Sequence, residues 1–210
     1  VIIGQNITPP IANAGADKTL TCAVTSIQIG STQTVGNTYS WSPSTNLSNP
    51  ISSQPFATAP GNYTVTVTNT ANGCAATDVV NVARNITPPI ANAGTDKTLT
   101  CTNTSFVIGT AAVAGNTYTW SPAFGLDNAN IAQPVVSSPG TYTLTVTNSI
   151  NGCTATDQIV ISQNITAPAA NAGPNKTLTC ANPSLQIGTA AITGNTYTWS
   201  PTAGMSNPNI

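Results

Sequence analysis

Any chemistry in this chain has to come from few residues. Its 210 residues include five Cys, five acids that are all Asp, four Lys or Arg, and no His. The cysteines stand at 22, 74, 101, 153 and 180. A metal site needs close-spaced ligands such as C-x-x-C, or histidines, and the sequence has neither. A catalytic thiol needs a base, and there is no His to serve. Acid–base catalysis wants paired carboxylates, yet Asp78 has no acidic neighbour in its stretch of sequence. Calcium takes about six to eight oxygens, usually from several acids, and no D-x-D-x-D run occurs. The sequence therefore implies no catalytic residues, no metal and no cofactor: a protein that is not an enzyme. Only 4% of residues are charged and the net charge is -1. That balance leaves no basic footprint for nucleic acid or for a membrane surface. No apolar run reaches about 18 residues, so no membrane insertion is expected.

The cysteines belong to a repeat. Cys22 recurs as Cys101 and Cys180, and Cys74 as Cys153; Trp41 recurs as Trp120 and Trp199, and Tyr63 as Tyr142. Asn6-Ile7-Thr8 recurs as Asn85-Ile86-Thr87 and Asn164-Ile165-Thr166, and every offset is 79 residues with no insertion. Such periodicity is the mark of a tandem array. Repeat 1 spans 6–84, repeat 2 spans 85–163 and a truncated repeat 3 spans 164–210. Residues 1–5 align with the end of a repeat through Val1, Ile2 and Ile3, so they read as the last strand of a preceding one. No basic leader opens the chain, and the expectation is a window on a longer exported array. Two cysteines per full repeat point to disulfides within each repeat, Cys22 with Cys74 and Cys101 with Cys153, with the partner of Cys180 outside the window; buried thiols are the alternative. A loop of that size is worth about 4 kcal/mol in the chain-entropy model. The pairing also implies an oxidising, extracellular compartment or cell surface.

The elements that must position these residues read as strands. Tyr63, Val65 and Val67 alternate with threonines, the period-two pattern of a half-buried strand. Leu20 and Cys22, Ile27 and Ile29, Tyr39 and Trp41, and Val80 and Val82 share that spacing and are expected to face inward. In repeat 2 the same faces hold Leu99, Cys101, Phe106, Ile108, Tyr118, Trp120, Tyr142, Leu144, Val146, Ile159 and Ile161. Gly, Pro, Asn and Ser cluster between the runs, and helical stripes are absent. About seven short strands per repeat, with turns between them, predict an all-β tandem array of antiparallel sandwiches. Trp41, Tyr63, Trp120, Tyr142 and Trp199 are the expected core markers.

The scarce charges recur as well. Were the two cysteine-bearing segments antiparallel in the Cys22–Cys74 register, Lys18 would face Asp78 and Lys97 would face Asp157. An exposed pair of this kind is worth at most about 1 kcal/mol. A Lys–Asp or Lys–Asn isopeptide is the other chemistry open to them. Thr64, Thr66 and Thr68, with their copies, read as the solvent side of a strand. The joint Arg84-Asn85-Ile86-Thr87-Pro88-Pro89 has no Gly/Ser linker, and its prolines fix φ and hold the preceding residue extended. A stiff connection is expected.

Three phrases carry a resemblance: Pro60-Gly61-Asn62-Tyr63-Thr-Val-Thr-Val-Thr-Asn followed by Asn72-Gly73-Cys74; Ala12-Asn13-Ala14-Gly15-Ala16-Asp17-Lys18-Thr19-Leu20-Thr21-Cys22; and Tyr39-Ser40-Trp41-Ser42-Pro43. Over the whole chain these are similar to the PKD-like and Ig-like repeats of large secreted surface proteins of Bacteroidetes. Trp41-Ser42-Pro43-Ser44-Thr45 lacks the acid that usually follows the tryptophan of a PKD domain. Gly61-x-Tyr63 resembles the tyrosine corner of Ig-type sandwiches, whose hydroxyl bonds back to the backbone. The resemblance implies export and a role as fibre, adhesin or stalk. The leading expectation is a structural component of an extracellular filament, with copies of itself or adjacent repeats as partners. The alternative is the stalk of an adhesin whose binding domain lies elsewhere. Cell-surface glycans held by Trp41 or Phe124 are a third partner class.

Overall fold

The computed structural model describes residues 1 and 3–209. They fall into two units, residues 1–163 and 164–210. Ile2, part of the expected leading strand, lies outside the described residues, and residues 1 and 3–5 carry no strand pairing.

Repeat 1 folds as six strands: β1 (Lys18–Thr21), β2 (Ile27–Gln28), β3 (Asn37–Ser42), β4 (Phe56–Ala57), β5 (Gly61–Asn69) and β6 (Ala75–Asn85). Repeat 2 copies them as β7 (Lys97–Thr100), β8 (Phe106–Val107), β9 (Asn116–Ser121), β10 (Val135–Val136), β11 (Gly140–Asn148) and β12 (Thr154–Asn164). Each repeat has a four-stranded sheet, ordered β1-β6-β5-β3 or β7-β12-β11-β9, and a two-stranded sheet, β2-β4 or β8-β10. Six strands form where about seven were expected. The segment between β3 and β4 contains Pro43, Pro50 and Pro55, which lack the N–H a ladder needs, and Leu47 makes only a lone bridge to Ala57.

The β5–β6 hairpin is antiparallel, with Tyr63 opposite Val80 and Val65 opposite Asp78. β3 adds antiparallel to β5, with Trp41 opposite Val65. β1 runs the other way: it pairs parallel to β6, with Lys18 opposite Val82 and Thr21 opposite Asn85. One continuous core per repeat joins the sheets. In repeat 1 it holds Leu20, Ile29, Trp41, Ala57, Tyr63, Val65, Val67, Val80 and Val82, and in repeat 2 Leu99, Ile108, Trp120, Val136, Tyr142, Leu144, Val146, Ile159 and Ile161. This is an immunoglobulin-like sandwich, repeated. Cys22 and Cys101 depart from their expected inward place. Both lie just past the end of the first strand of their repeat, where alternation no longer assigns a face, and both are exposed.

The unit 164–210 keeps the local bonds of its predecessors. Trp199 N donates to Pro208 O at 3.0 Å and Gly188 N to Ala172 O at 3.0 Å, as Trp41 N does to Pro50 O and Gly30 N to Ala14 O at 2.8 Å each. Its apolar residues Leu178, Leu185 and Ile187 are exposed, whereas Leu99 and Ile108, the counterparts of Leu178 and Ile187, are buried.

Candidate functional site: the joint between repeats

Side chains from both repeats converge where repeat 1 hands over to repeat 2. β6 ends at Asn85, and Ile86 and Thr87 continue into repeat 2. Because β1 runs parallel to β6, its end carries Cys22 to this same place, where the sulfur lies 4.0 Å from Ile86 O. From the other side comes the turn Asn151-Gly152-Cys153 that joins β11 to β12. Cys22 and Cys153 form a disulfide with Cα atoms 5.0 Å apart, across a sequence separation of 131 residues.

Asn151 organises the joint. Its side-chain nitrogen donates to Asn85 Oδ1 at 3.0 Å and to Thr87 O at 2.9 Å. Its Oδ1 accepts from Cys153 N at 2.9 Å, which sets the direction of the cysteine. Its carbonyl accepts from Ala23 N of repeat 1 at 3.2 Å. Asn151 is 2% exposed, so these bonds replace water that the joint excludes. Gly152 has φ +70°, and a Cβ on it would stand 2.6 Å from Ala23 Cβ. Only a glycine lets the turn come this close to repeat 1.

The expected pairings within repeats are overturned here. Cys22 follows Thr21, which faces the last residue of β6, while Cys74 precedes its first. Eleven residues of strand lie between them, about 35 Å at 3.3 Å per residue. A disulfide needs Cα atoms within about 7 Å. Cys22 therefore pairs with Cys153 of the next repeat, which leaves the expected partners of both cysteines outside this bond, and among the described residues Cys74 and Cys180 are in no disulfide.

The same parallel register removes the expected ion pairs. Lys18 lies opposite Val82, four residues beyond Asp78. Asp78 Oδ2 instead accepts from Ala14 N at 2.8 Å, and Asp157 Oδ2 from Ala93 N at 2.8 Å. Lys97 Nζ sits 5.3 Å from the centre of the Phe106 ring. Asp17 and Asp96, which had no assigned role, accept from Asn81 N and Val160 N at 2.9 Å each. These carboxylates tie the strandless lead of each repeat to its last strand.

The aromatic markers serve the core. Trp41 and Trp120 are buried, and their Nε1 atoms donate to Ser52 O at 2.9 Å and Ile131 O at 3.0 Å. Trp41 thus has no free face for a sugar, while Phe124 is 79% exposed. Trp199 is half-buried. Tyr63 OH donates to Ala59 O at 2.9 Å; Tyr142 OH shares its proton between Ser138 O at 3.0 Å and Phe124 O at 3.1 Å. Burial pushes both phenols above their ordinary pKa. Among the described residues no cluster of His, Cys, Asp or Glu is arranged to hold a metal ion.

The role of Asn151 went unread in the sequence, although its signal was there. Asn-Gly-Cys recurs with the repeat, as does Asn-Ile-Thr, and the two asparagines that meet are always 66 residues apart.

No protein-family model matches this chain, and no curated protein matches it. Among solved structures, the I67–I69 I-band fragment of titin is similar at a TM-score of 0.44 and 13% identity, over 76% of this chain and 67% of that one. Domains 3–5 of Drosophila OTK are similar at 0.39 and 12%, over 71% and 59%. A SusE-like surface located polysaccharide binding protein from the Bacteroides thetaiotaomicron heparin utilisation locus is similar at 0.32 and 15%, over 74% of this chain and 34% of that one.

Proposed function

We propose that this chain is a load-bearing stretch of an extracellular structural fibre, built from immunoglobulin-like repeats whose joints are locked. The observation that carries the reading is the Cys22–Cys153 bond across the joint. Domains in series ordinarily swing about their linkers. Here three restraints act at one place: the linker itself, its two hydrogen bonds from Asn151, and the disulfide. The bond also reroutes tension. A pull entering at residue 1 reaches Cys22, crosses to Cys153 and leaves toward residue 163. Residues 23–152, which hold most of both cores, are bypassed. A disulfide of this kind persists in an oxidising compartment, which agrees with export to a cell surface. A nearly uncharged chain also favours association between copies.

Single-molecule pulling tests the reading. The bypassed segment would extend by about 450 Å at roughly 3.5 Å per residue. That length is expected to stay hidden in the oxidised protein and to be released once a reductant is added. Release of the same length with and without reductant would refute the load-bearing role.

A further inference from the structure

We propose that the staple is a rule of the array: the first cysteine of every repeat bonds the second cysteine of the repeat that follows. The inference rests on the load-bearing reading above and names the partner it requires, another copy of the 79-residue repeat. Cys74 then receives the repeat before it, and Cys101 and Cys180 reach toward the repeats after theirs.

Both halves of the joint are already formed in the local geometry of this chain. On the receiving side, Asn72 Nδ2 donates to Asn6 Oδ1 at 3.1 Å and Thr8 O at 3.0 Å, repeating what Asn151 does with Asn85 and Thr87. Cys74 N donates to Asn72 Oδ1 at 2.9 Å, the same bond that aims Cys153. The space above this turn is open. A Cβ on Gly73, at φ +74°, would meet nothing within 4 Å, whereas one on Gly152 would meet Ala23 at 2.6 Å. Asn72 and Cys74 are half-buried where Asn151 and Cys153 are buried. The receiving turn is thus built in the bonded geometry and lacks only the loop that covers it.

On the reaching side, the turn bearing the first cysteine has one shape in all three repeats. Thr21 N donates to Val24 O at 2.9 Å, Thr100 N to Asn103 O at 2.9 Å and Thr179 N to Asn182 O at 3.2 Å. In each, the threonine hydroxyl accepts the return bond, at 3.0, 3.0 and 3.1 Å. Cys101 and Cys180 are therefore held in the same turn as Cys22, which is bonded.

Each bond forms when the thiolate of one cysteine displaces a thiolate from a mixed disulfide on the other. Two thiols become one S–S bond. The two electrons and two protons pass to a disulfide oxidant such as oxidised glutathione, which leaves as two thiols. The loops so closed overlap. Tension leaving Cys153 travels 27 residues to Cys180 and crosses again. No repeat in such a ladder unravels without an S–S bond breaking.

The test lengthens the full chain past Ile210 by the sequence of residues 132–163, which supplies the third repeat with its second cysteine. The protein is refolded in a glutathione redox buffer, alkylated with iodoacetamide, and digested for disulfide mapping by mass spectrometry. The expected map contains Cys22–Cys153 and Cys101 joined to the added cysteine. Multimers joining Cys180 of one copy to Cys74 of another obey the same rule and count for it. Cys101 found alkylated, or joined to any other cysteine, overturns the rule. If Cys22–Cys153 forms in that case, the ladder alone has failed; if it is absent too, the load-bearing reading falls with it.

Discussion

Two glycines separate backbone strain from joint packing, because they differ in one respect only. Gly73 and Gly152 occupy the same turn, at φ +74° and +70°. Alanine at either position pays for a left-handed backbone, about 1–2 kcal/mol. At Gly73 nothing more is added, since the space around a Cβ is empty. At Gly152 the new Cβ would lie 2.6 Å from Ala23 Cβ, 3.3 Å from Ala23 N and 3.4 Å from Ala23 Cα. Carbon atoms rest at about 3.5–4.0 Å, so the joint must open by about 1 Å. Overpacking of that kind costs about 1–3 kcal/mol. Gly152→Ala is then expected to cost about 2–5 kcal/mol and Gly73→Ala about 1–2 kcal/mol. Urea unfolding followed by tryptophan fluorescence measures both, oxidised and reduced. In the oxidised protein the disulfide holds the clash in place. With reductant the two repeats part, and the Gly152→Ala value is expected to fall toward that of Gly73→Ala. Equal costs in the oxidised protein would mean that Ala23 does not pack on this turn, and the joint as described would be wrong.

Two further outcomes follow from the carboxylates and the phenols. Asp78→Ala leaves the buried Ala14 N–H without its acceptor and is expected to cost about 1.5–3 kcal/mol. Lys18→Ala is expected to stay within about 0.5 kcal/mol, and a double-mutant cycle by calorimetry is expected to find no coupling; a coupling above about 1 kcal/mol would restore the ion pair. Tyr63 and Tyr142 have raised pKa values because burial disfavours the phenolate. Their contribution is complete below the unfolded value of about 10 and is lost as pH climbs through the raised folded values. Stability by circular dichroism is therefore expected to drop above about pH 10, and the drop to shrink in the Tyr63→Phe, Tyr142→Phe variant.

The sandwich was legible because its strands bury one face, and burying one face of a strand imposes period two on the sequence. Tyr63, Val65, Val67, Val80 and Val82 carry that period and form the core. Of the two-residue strands, β2 showed only the single Ile27–Ile29 spacing, and β4 is too short to show any period. The bonds of Asn151 were harder still, since asparagine in a turn reads the same whether it serves the turn alone or a neighbouring strand.

Cys22 shows why the joint could not be read from periodicity. In a chain that repeats every 79 residues, a bond within each repeat and a bond from each repeat to the next are equally periodic. Both use two cysteines per repeat, and both leave odd cysteines wherever an array is cut. What separates them is a direction that the phase does not encode. β1 could lie along β6 either way and still bury Leu20. Antiparallel, it would end beside the start of β6, and Cys22 would meet Cys74 within its own domain. Parallel, as it is, it ends beside Asn85, and the cysteine arrives where the next repeat begins. The direction of one four-residue strand thus decides whether the cysteines stabilise single domains or bind the domains into a chain.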